Sequence, residues 1–462
     1  MESGKQKLNI AIVGSGPAGF YTADRLIKKS GAEIQIDMFD TLPTPHGLVR
    51  HGVAPDHQKI KTVARMYDKI AAHPSFRFFG FVEFGKDITL ADLKKRYHQI
   101  VFATGAQTDK RMEIPGEDLP GSHTATEFVA WYNGHPHSSE LDFEMSGSRA
   151  IIIGVGNVAI DVARILCLSG GELGKTDIAD YAMKKLEASG ISEIYIIGRR
   201  GPAQAAFTNP ELRELGALED ALAVTREEDL NLDPVSKRFL EENPNAATAK
   251  KLEILESFSR REQSGEKKTL HLRFLLSPVA MESGKDGRVA SATFVKNRLE
   301  RREDGTVRAV PTGETETIRA DIVFRSIGYR GIALKDVPFD DSAGVIPNGL
   351  GRVLDAPGGG ALTGLYTAGW IKRGATGVIG TNKTDSAETV DLMIEDAEKG
   401  VLFAPDEKAV SIEALLDERK PDYISYQKWS VVDEKEKKRG EVEGRPRVKY
   451  TTIEEIMKAL KS

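Results

Sequence analysis

The chain of 462 residues contains one cysteine, Cys167. A single thiol excludes an internal disulfide, a catalytic dithiol and an iron–sulfur cluster held by the chain's own cysteines. Cys167 lies in the apolar run "ARILCLSG", where a free thiol belongs in a core. No stretch approaches the roughly 20 apolar residues of a membrane-spanning helix. Positive charge is not in excess: 64 Lys and Arg stand against 69 Asp and Glu, a formal net charge of -5, so nucleic acid is not an expected partner. No metal site is expected either. The opening "MESGKQK" has neither the apolar core of a signal peptide nor an Arg/Ser-rich transit composition. The expectation is a soluble, cytoplasmic monomer. A hydrophobic content of 40% over this length suffices for two or three domain cores.

Glycine is abundant, 44 residues clustered in short motifs. That distribution marks tight turns and close backbone–ligand approaches. In "GSGPAG", Gly14, Gly16 and Gly19 follow the apolar run 8–13. They open a segment in which Ala18, Tyr21, Ala23 and Leu26 recur at helical spacing. In a strand–turn–helix of this kind the first glycine permits the turn and the second lets a pyrophosphate approach. The third lets helix and strand pack closely, and the helix N-terminus offers free amides to the phosphates. The next apolar run, "IQIDMFD", ends at Asp40, placed to take ribose hydroxyls.

The pattern returns near residue 150. "RAIIIGVGNVAIDVARILCL" is again strand, turn and helix, with Gly154 and Gly156 in the turn, then Asn157 and Val158. Ala159 takes the third glycine position, which the pattern tolerates. The following strand, "ISEIYII", does not end in an acid. It ends in Arg199 and Arg200. Two guanidiniums suit a 2′-phosphate through charge-assisted hydrogen bonds. The second unit is therefore expected to bind NADP(H) rather than NAD(H), and the first unit, with Asp40, to bind FAD. Both cofactors in one chain imply hydride transfer from nicotinamide to flavin. Strands alternating with helices predict an α/β protein with two Rossmann-like dinucleotide-binding domains and parallel sheets.

The segment 227–268 is highly charged and reads as a helical insert with a solvated surface. Residues 270–310 alternate like an antiparallel ribbon. "ADIVFRSIGYRG" reads as a buried strand returning to the first domain. "TAGWIKRGATGVIGTNKTDS" reads as strand, Gly-rich turn and helix, whose N-terminus would stabilise an anionic reduced flavin with Trp370 as planar neighbour. The tail beyond Pro405 holds Trp429 and ends in a short helix near "TIEEIMKAL", an elaboration of the first domain.

"GLVRHGVAPDH", "GVGNVAIDVARIL", "GRRGPAQAAFTNPELREL" and "GWIKRGATGVIGTNKTDSAET" together resemble the adrenodoxin-reductase-type ferredoxin–NADP reductases. The resemblance runs from Ile10 to about Tyr450 and is weakest in the charged insert. It implies an FAD domain of residues 1–106 and 331–462 with an NADP domain, 107–330, inserted into it. It implies electron flow from NADPH through FAD to a one-electron iron–sulfur ferredoxin. By this resemblance Gly14, Gly16, Ala18, Gly19, Asp40, Leu48, Val82, Trp370, Gly377, Val378 and Ile379 line the FAD. Gly154, Gly156, Asn157, Val158, Arg199, Arg200 and Glu211 hold NADP(H), and Gly377 touches both cofactors.

The family's arginine after "TGA" is here Lys110, followed by Arg111, and either could supply the phosphate contact. A lysine keeps the charge and loses the fork. His57 and Glu214 match a polar pair at the hydride-transfer site, with Asp161 facing the same region. Hydride transfer needs no general base, so the pair would position the nicotinamide or manage the flavin proton. The residues alone also allow Asp56 to cap a helix. Arg50, Lys372 and Arg373 are candidates for a basic surface that steers an acidic ferredoxin.

Three other readings compete. A flavin disulfide reductase needs a dithiol that one cysteine cannot supply. The electron-input module of a larger complex, as in glutamate synthase, usually carries cysteine-ligated clusters. A non-catalytic FAD/NADP(H) sensor would leave its flavin unbleached by NADPH.

Overall fold

The computed structural model describes residues 7–261, 265 and 267–461. β1 (Lys7–Val13), α1 (Pro17–Lys29) and β2 (Glu33–Asp40) form a parallel strand–helix–strand unit, with Lys7 registered against Glu33 and Val13 against Phe39. Ile10 to Val13 are all buried because both faces of the sheet are covered, so the strand reads as one apolar run. β3 (Phe76–Gly80) and β4 (Gln99–Phe102) pair outward from this unit on either side.

The chain then builds a second sheet. Its elements are β5 (Ser122–Thr124), β6 (Arg149–Ile153), α2 (Asn157–Cys167), β7 (Glu193–Ile197), α3 (Asn209–Gly216), β8 (Ala221–Thr225), α4 (Ala246–Ser259) and β9 (Lys268–Arg273). A three-stranded antiparallel ribbon follows, β10 (Leu276–Ser283), β11 (Val289–Arg301) and β12 (Val307–Arg319). β13 (Ile322–Arg325) returns to the second sheet, whose order is β5-β13-β6-β7-β9-β8. The chain finally goes back to the first sheet with β14 (Asn348–Gly349), β15 (Arg352–Leu354) and β16 (Ala361–Thr367), giving the order β14-β15-β16-β4-β1-β2-β3. α5 (Thr381–Glu398) packs against α1, and α6 (Tyr426–Glu443) buries Trp429 and Val432 against Ile456 of the last helix.

Three expectations need correction. The ribbon begins at Leu276, not Leu270. Residues 268–273 are a parallel strand between β7 and β8, with Leu270 and Leu272 in the core and His271 stacked on Tyr195 at 4.4 Å on the other face. β13 is buried but belongs to the second sheet, paired to β5 and β6. The charged segment is not merely solvated. α4 buries Leu255 and Phe258 in the second core, held there by burial of about 2 kcal/mol per large apolar side chain. The end of that segment, 262–264 and 266, lies outside the described residues.

The chain crosses between the sheets twice, and the two crossings pair with each other through Tyr329–Arg330 and Thr108–Asp109. The C-terminal tail adds a strap. Arg445 donates from Nε to the Thr176 carbonyl and from Nη1 to Asp180. Buried Lys449 reaches Asp177 at 3.2 Å, the carboxylate that Lys61 also holds at 2.7 Å. Among the described residues no helix is long and apolar enough to cross a membrane. Nor does any group of three or more His, Cys, Asp or Glu there suit a metal ion.

Candidate active site between the two sheets

The first glycine loop is shaped by three distinct constraints. Gly14 has φ 110°, and a Cβ there would lie 2.4 Å from the Ala103 carbonyl oxygen. A Cβ at Gly19 would lie 2.2 Å from the Gly14 carbonyl oxygen, so helix and turn touch through backbone. A Cβ at Gly16 would meet nothing within 4 Å. Gly16 therefore faces open space at the N-terminus of α1, the surroundings a pyrophosphate needs. Asp40 ends β2 and accepts from the Ser15 amide at 2.8 Å, the Ser15 hydroxyl at 2.6 Å and the Leu42 amide at 2.9 Å. Its carboxylate thus braces the loop. Burial raises its pKa and these bonds only partly offset that.

The segment carrying "GLVRHGVAPDH" lies on this loop. A Cβ at Gly47 would come within 2.9 Å of Gly16 Cα, and the His46 amide donates to the Ser15 carbonyl at 3.0 Å. Leu48 then opens a short helix and is partly exposed, while Val82 is buried behind Asp40, its amide on the Asp40 carbonyl at 2.9 Å. From the other end of the chain, Ser386 of α5 donates to the Ala18 carbonyl at 3.1 Å. Trp370 stacks on Tyr329 at 5.4 Å and donates from Nε1 to the Thr376 carbonyl. It is half-buried, not a closed core aromatic. Gly377 has φ 77°, Val378 is exposed, and Ile379 packs toward the first core just before α5 begins.

The second loop repeats the first. Gly154 has φ 135° with its missing Cβ 2.0 Å from the Ser326 carbonyl oxygen, and Gly156 again faces open space. Asn157 accepts from the Thr208 amide at 2.9 Å and donates to Glu211 Oε1 at 3.3 Å. The other Glu211 oxygen is buried without a hydrogen-bond partner among the described residues. Val158 is half-buried behind Asn157. Arg199 is exposed and Arg200 half-buried, and neither has a carboxylate partner among the described residues. Burial first, and then the Arg199 charge, lowers the Arg200 pKa. Two unpartnered guanidiniums beside an open glycine turn fit a phosphorylated dinucleotide. Arg111 is tied to Asp118 at 2.5 Å, whereas exposed Lys110 has no side-chain partner among the described residues.

His57 and Glu214 are brought together, Nε2 to Oε2, at 2.8 Å. Asp161 Oδ1 stands 3.9 Å from the other imidazole nitrogen. Asp56 caps no helix: its carboxylate takes the Arg164 fork, Nε at 2.6 Å and Nη2 at 3.0 Å. Burial opposes the Asp56 charge, but the Arg164 bonds outweigh it and the carboxyl sits below its ordinary range. Asp161 goes the other way, because its burial is not fully offset by Arg164.

This two-loop chain has relatives. A family model described as pyridine nucleotide-disulphide oxidoreductase matches residues 8–203. Over 462 residues the chain is 42% identical to NADPH-ferredoxin reductase FprA of Mycobacterium tuberculosis, covering 97% of this chain and 98% of that one. It is 40% identical over 464 residues to the mitochondrial NADPH:adrenodoxin oxidoreductase of Arabidopsis thaliana, covering 98% and 95%. The solved structure of Mycobacterium tuberculosis FprA in complex with NADPH matches with a TM-score of 0.92 at 40% identity, over 99% of this chain and 100% of that one. The chain belongs to the NADPH–ferredoxin reductase family.

For this reductase the disulphide chemistry in the family model's description has no thiols to work with. Cys167 is buried in α2, and burial pushes its thiol up to about 12. Two of the three residues expected on a basic docking surface are not on a surface. Arg50 is buried on Glu436, and Lys372 is buried on Glu388 and Asp385 at 2.6 and 3.3 Å. Arg373 is half-buried and spends its guanidinium on Thr376 and Asn382. The residue that sequence reasoning missed is Arg164. Its signal was present: with Asp161 it is one of only two charges in the otherwise apolar stretch 158–167, spaced i,i+3 on one helix face.

Proposed function

We propose that this reductase oxidises NADPH and passes the electrons through FAD, one at a time, to an iron–sulfur ferredoxin. The observation that carries the reading is the pairing of two open glycine turns in one chain, the second flanked by guanidiniums without carboxylate partners among the described residues. The FAD domain is residues 1–106 and 331–462, and the NADP domain is 107–330. When bound, FAD accepts a hydride from the nicotinamide and releases its electrons singly.

The chain's own residues divide the remaining work. Gly14, Gly16, Ala18 and Gly19 present the α1 N-terminus to the first pyrophosphate, and Asp40 fixes that loop. Leu48 and Val82 line the FAD, and Trp370 and the turn Gly377-Val378-Ile379 reach its flavin end. Gly154, Gly156, Asn157 and Val158 present the second helix N-terminus. Arg199 and Arg200 select the 2′-phosphate, Glu211 takes the ribose, and Lys110 adds charge toward the phosphates. His57 and Glu214 orient the nicotinamide. The protein acts as a cytoplasmic monomer.

The test is anaerobic NADPH oxidation with ferricyanide and with a small [2Fe–2S] ferredoxin in parallel. Reduction of both, with NADH far slower, is expected. Reduction of ferricyanide alone would move the acceptor to another class, as for an input module. No reduction by FAD-loaded protein would replace the enzyme with a sensor.

A further inference from the structure

The Arg164 side chain is 3% exposed and faces three carboxylates from three segments of chain. Its fork closes on Asp56, which precedes His57 on the first sheet's side of the site. Its Nη2 is also 2.9 Å from Asp161, one turn earlier on α2. Its Nη1 lies 3.3 Å from Glu214 Oε2 on α3, the same oxygen that meets His57 Nε2 at 2.8 Å. One oxygen thus serves both the imidazole and the guanidinium.

The angles are unfinished. Among the described residues, Arg164 Nη1 and Asp161 Oδ1 are both buried without a geometrically sound hydrogen bond. A buried donor left unmade is costly. Here the unmade donor stands 3.3 Å from the carboxylate that meets His57. α3 also carries Glu211, which Asn157 links to the second glycine turn. The two nucleotide units therefore meet at one guanidinium.

We propose that Arg164 is a positioning residue for hydride transfer: anchored on Asp56, it sets the place of Glu214, and through Glu214 that of the His57 imidazole, relative to the second glycine loop. This rests on the reading of His57 and Glu214 as the transfer site. A lysine cannot replace the residue fully, because it reaches Asp56 or Glu214 as a point charge and lacks the planar fork that holds both.

The experiment uses FAD-loaded enzyme in four forms: wild type, Arg164→Lys, Glu214→Gln and the double variant. Three quantities are measured: the single-turnover rate of flavin reduction at saturating NADPH, the NADP+ dissociation constant from the flavin spectrum, and the melting temperature. Each single variant is expected to slow reduction at least tenfold with NADP+ affinity within threefold of wild type. The double variant is expected to be no slower than the worse single, since coupled residues are non-additive. Losses that multiply in the double variant overturn the proposal and leave the site reading standing. So does an unchanged rate in Arg164→Lys beside a slow Glu214→Gln. An unchanged rate in Glu214→Gln overturns the site reading and the proposal with it. If Arg164→Lys does not hold FAD, Asp56→Asn, which unloads the fork from its other end, must show the same coupling to Glu214→Gln.

Discussion

Arg50 and Glu436 form a bidentate ion pair across 386 positions of sequence, with nitrogen–oxygen separations of 2.6 and 2.8 Å and both side chains buried. The Arg50 guanidinium also lies over the Trp429 ring at 4.9 Å. Removing one partner of such a pair strands a buried charge, a loss of about 3–5 kcal/mol. Glu436→Gln is therefore expected to lower the melting temperature markedly. Arg50 stands three residues after Gly47, which touches the first glycine loop, so FAD retention should fall with it. Thermal unfolding and the flavin-to-protein absorbance ratio check both, and an unchanged melting temperature would refute the account.

The Arg199/Arg200 pair predicts a cofactor preference. Replacing both with alanine is expected to raise the KM for NADPH on the order of 100-fold and to leave that for NADH nearly unchanged. Steady-state kinetics with both nucleotides decide it. Equal effects on the two would remove the 2′-phosphate assignment.

The glycines predict a contrast between folding and binding. Gly156→Ala places a methyl in open space, so the variant should fold and keep its flavin while losing NADP+ affinity. Gly19→Ala drives a methyl against the Gly14 carbonyl oxygen and should yield little folded, flavin-containing protein. Flavin content and NADP+ titration separate the two. Full NADP+ affinity in Gly156→Ala would show that the dinucleotide does not approach that backbone.

His46 predicts an acid dependence. Burial pushes its imidazole down to about 3. Its folded pKa is depressed, so the unfolded chain takes the proton first, near pH 6.5. The stability this group contributes is complete above that pH and is lost as pH falls from about 6.5 toward 3, by roughly 1.4 kcal/mol per pH unit. His46→Asn keeps a residue that tolerates the positive φ of 85°. It should be less stable at neutral pH and have a flatter stability profile between those limits. Parallel profiles for the two proteins would contradict this.

How much of this was legible in the sequence depended on the range of the forces involved. The glycine loops were legible because steric constraint is local: Gly14 and Gly154 need positive φ wherever the rest of the chain goes. The Arg199/Arg200 position was legible because a strand and a turn fix it. β9 was misread because a strand with one apolar face alternates like a ribbon strand whether its neighbours run parallel or antiparallel. The apolar run Ile322–Phe324 of β13 carries no mark of the sheet it joins. Arg50 and Lys372 looked like surface charges because their partners come from elsewhere, Glu436 at the far end of the chain and Glu388 on α5. Arg164 was passed over for the same reason, since Asp56 reaches it from the other unit.

The order of strands in the first sheet has a consequence for synthesis. β4 pairs with β1 on one side and with β16 on the other, and the entire second sheet is translated between β4 and β16. At about 5–20 residues per second, a ribosome delivers β16 roughly 10–50 s after β4. A nascent chain halted before Ala361 holds every strand of the second sheet and six of the seven strands of the first, but β14 and β15 join β4 only through β16, so one edge of β4 is unpaired. The middle of this protein can therefore mature before its beginning. Meanwhile the open edge of β4, with Ile100, Val101 and Phe102, is exposed to mispairing with other chains.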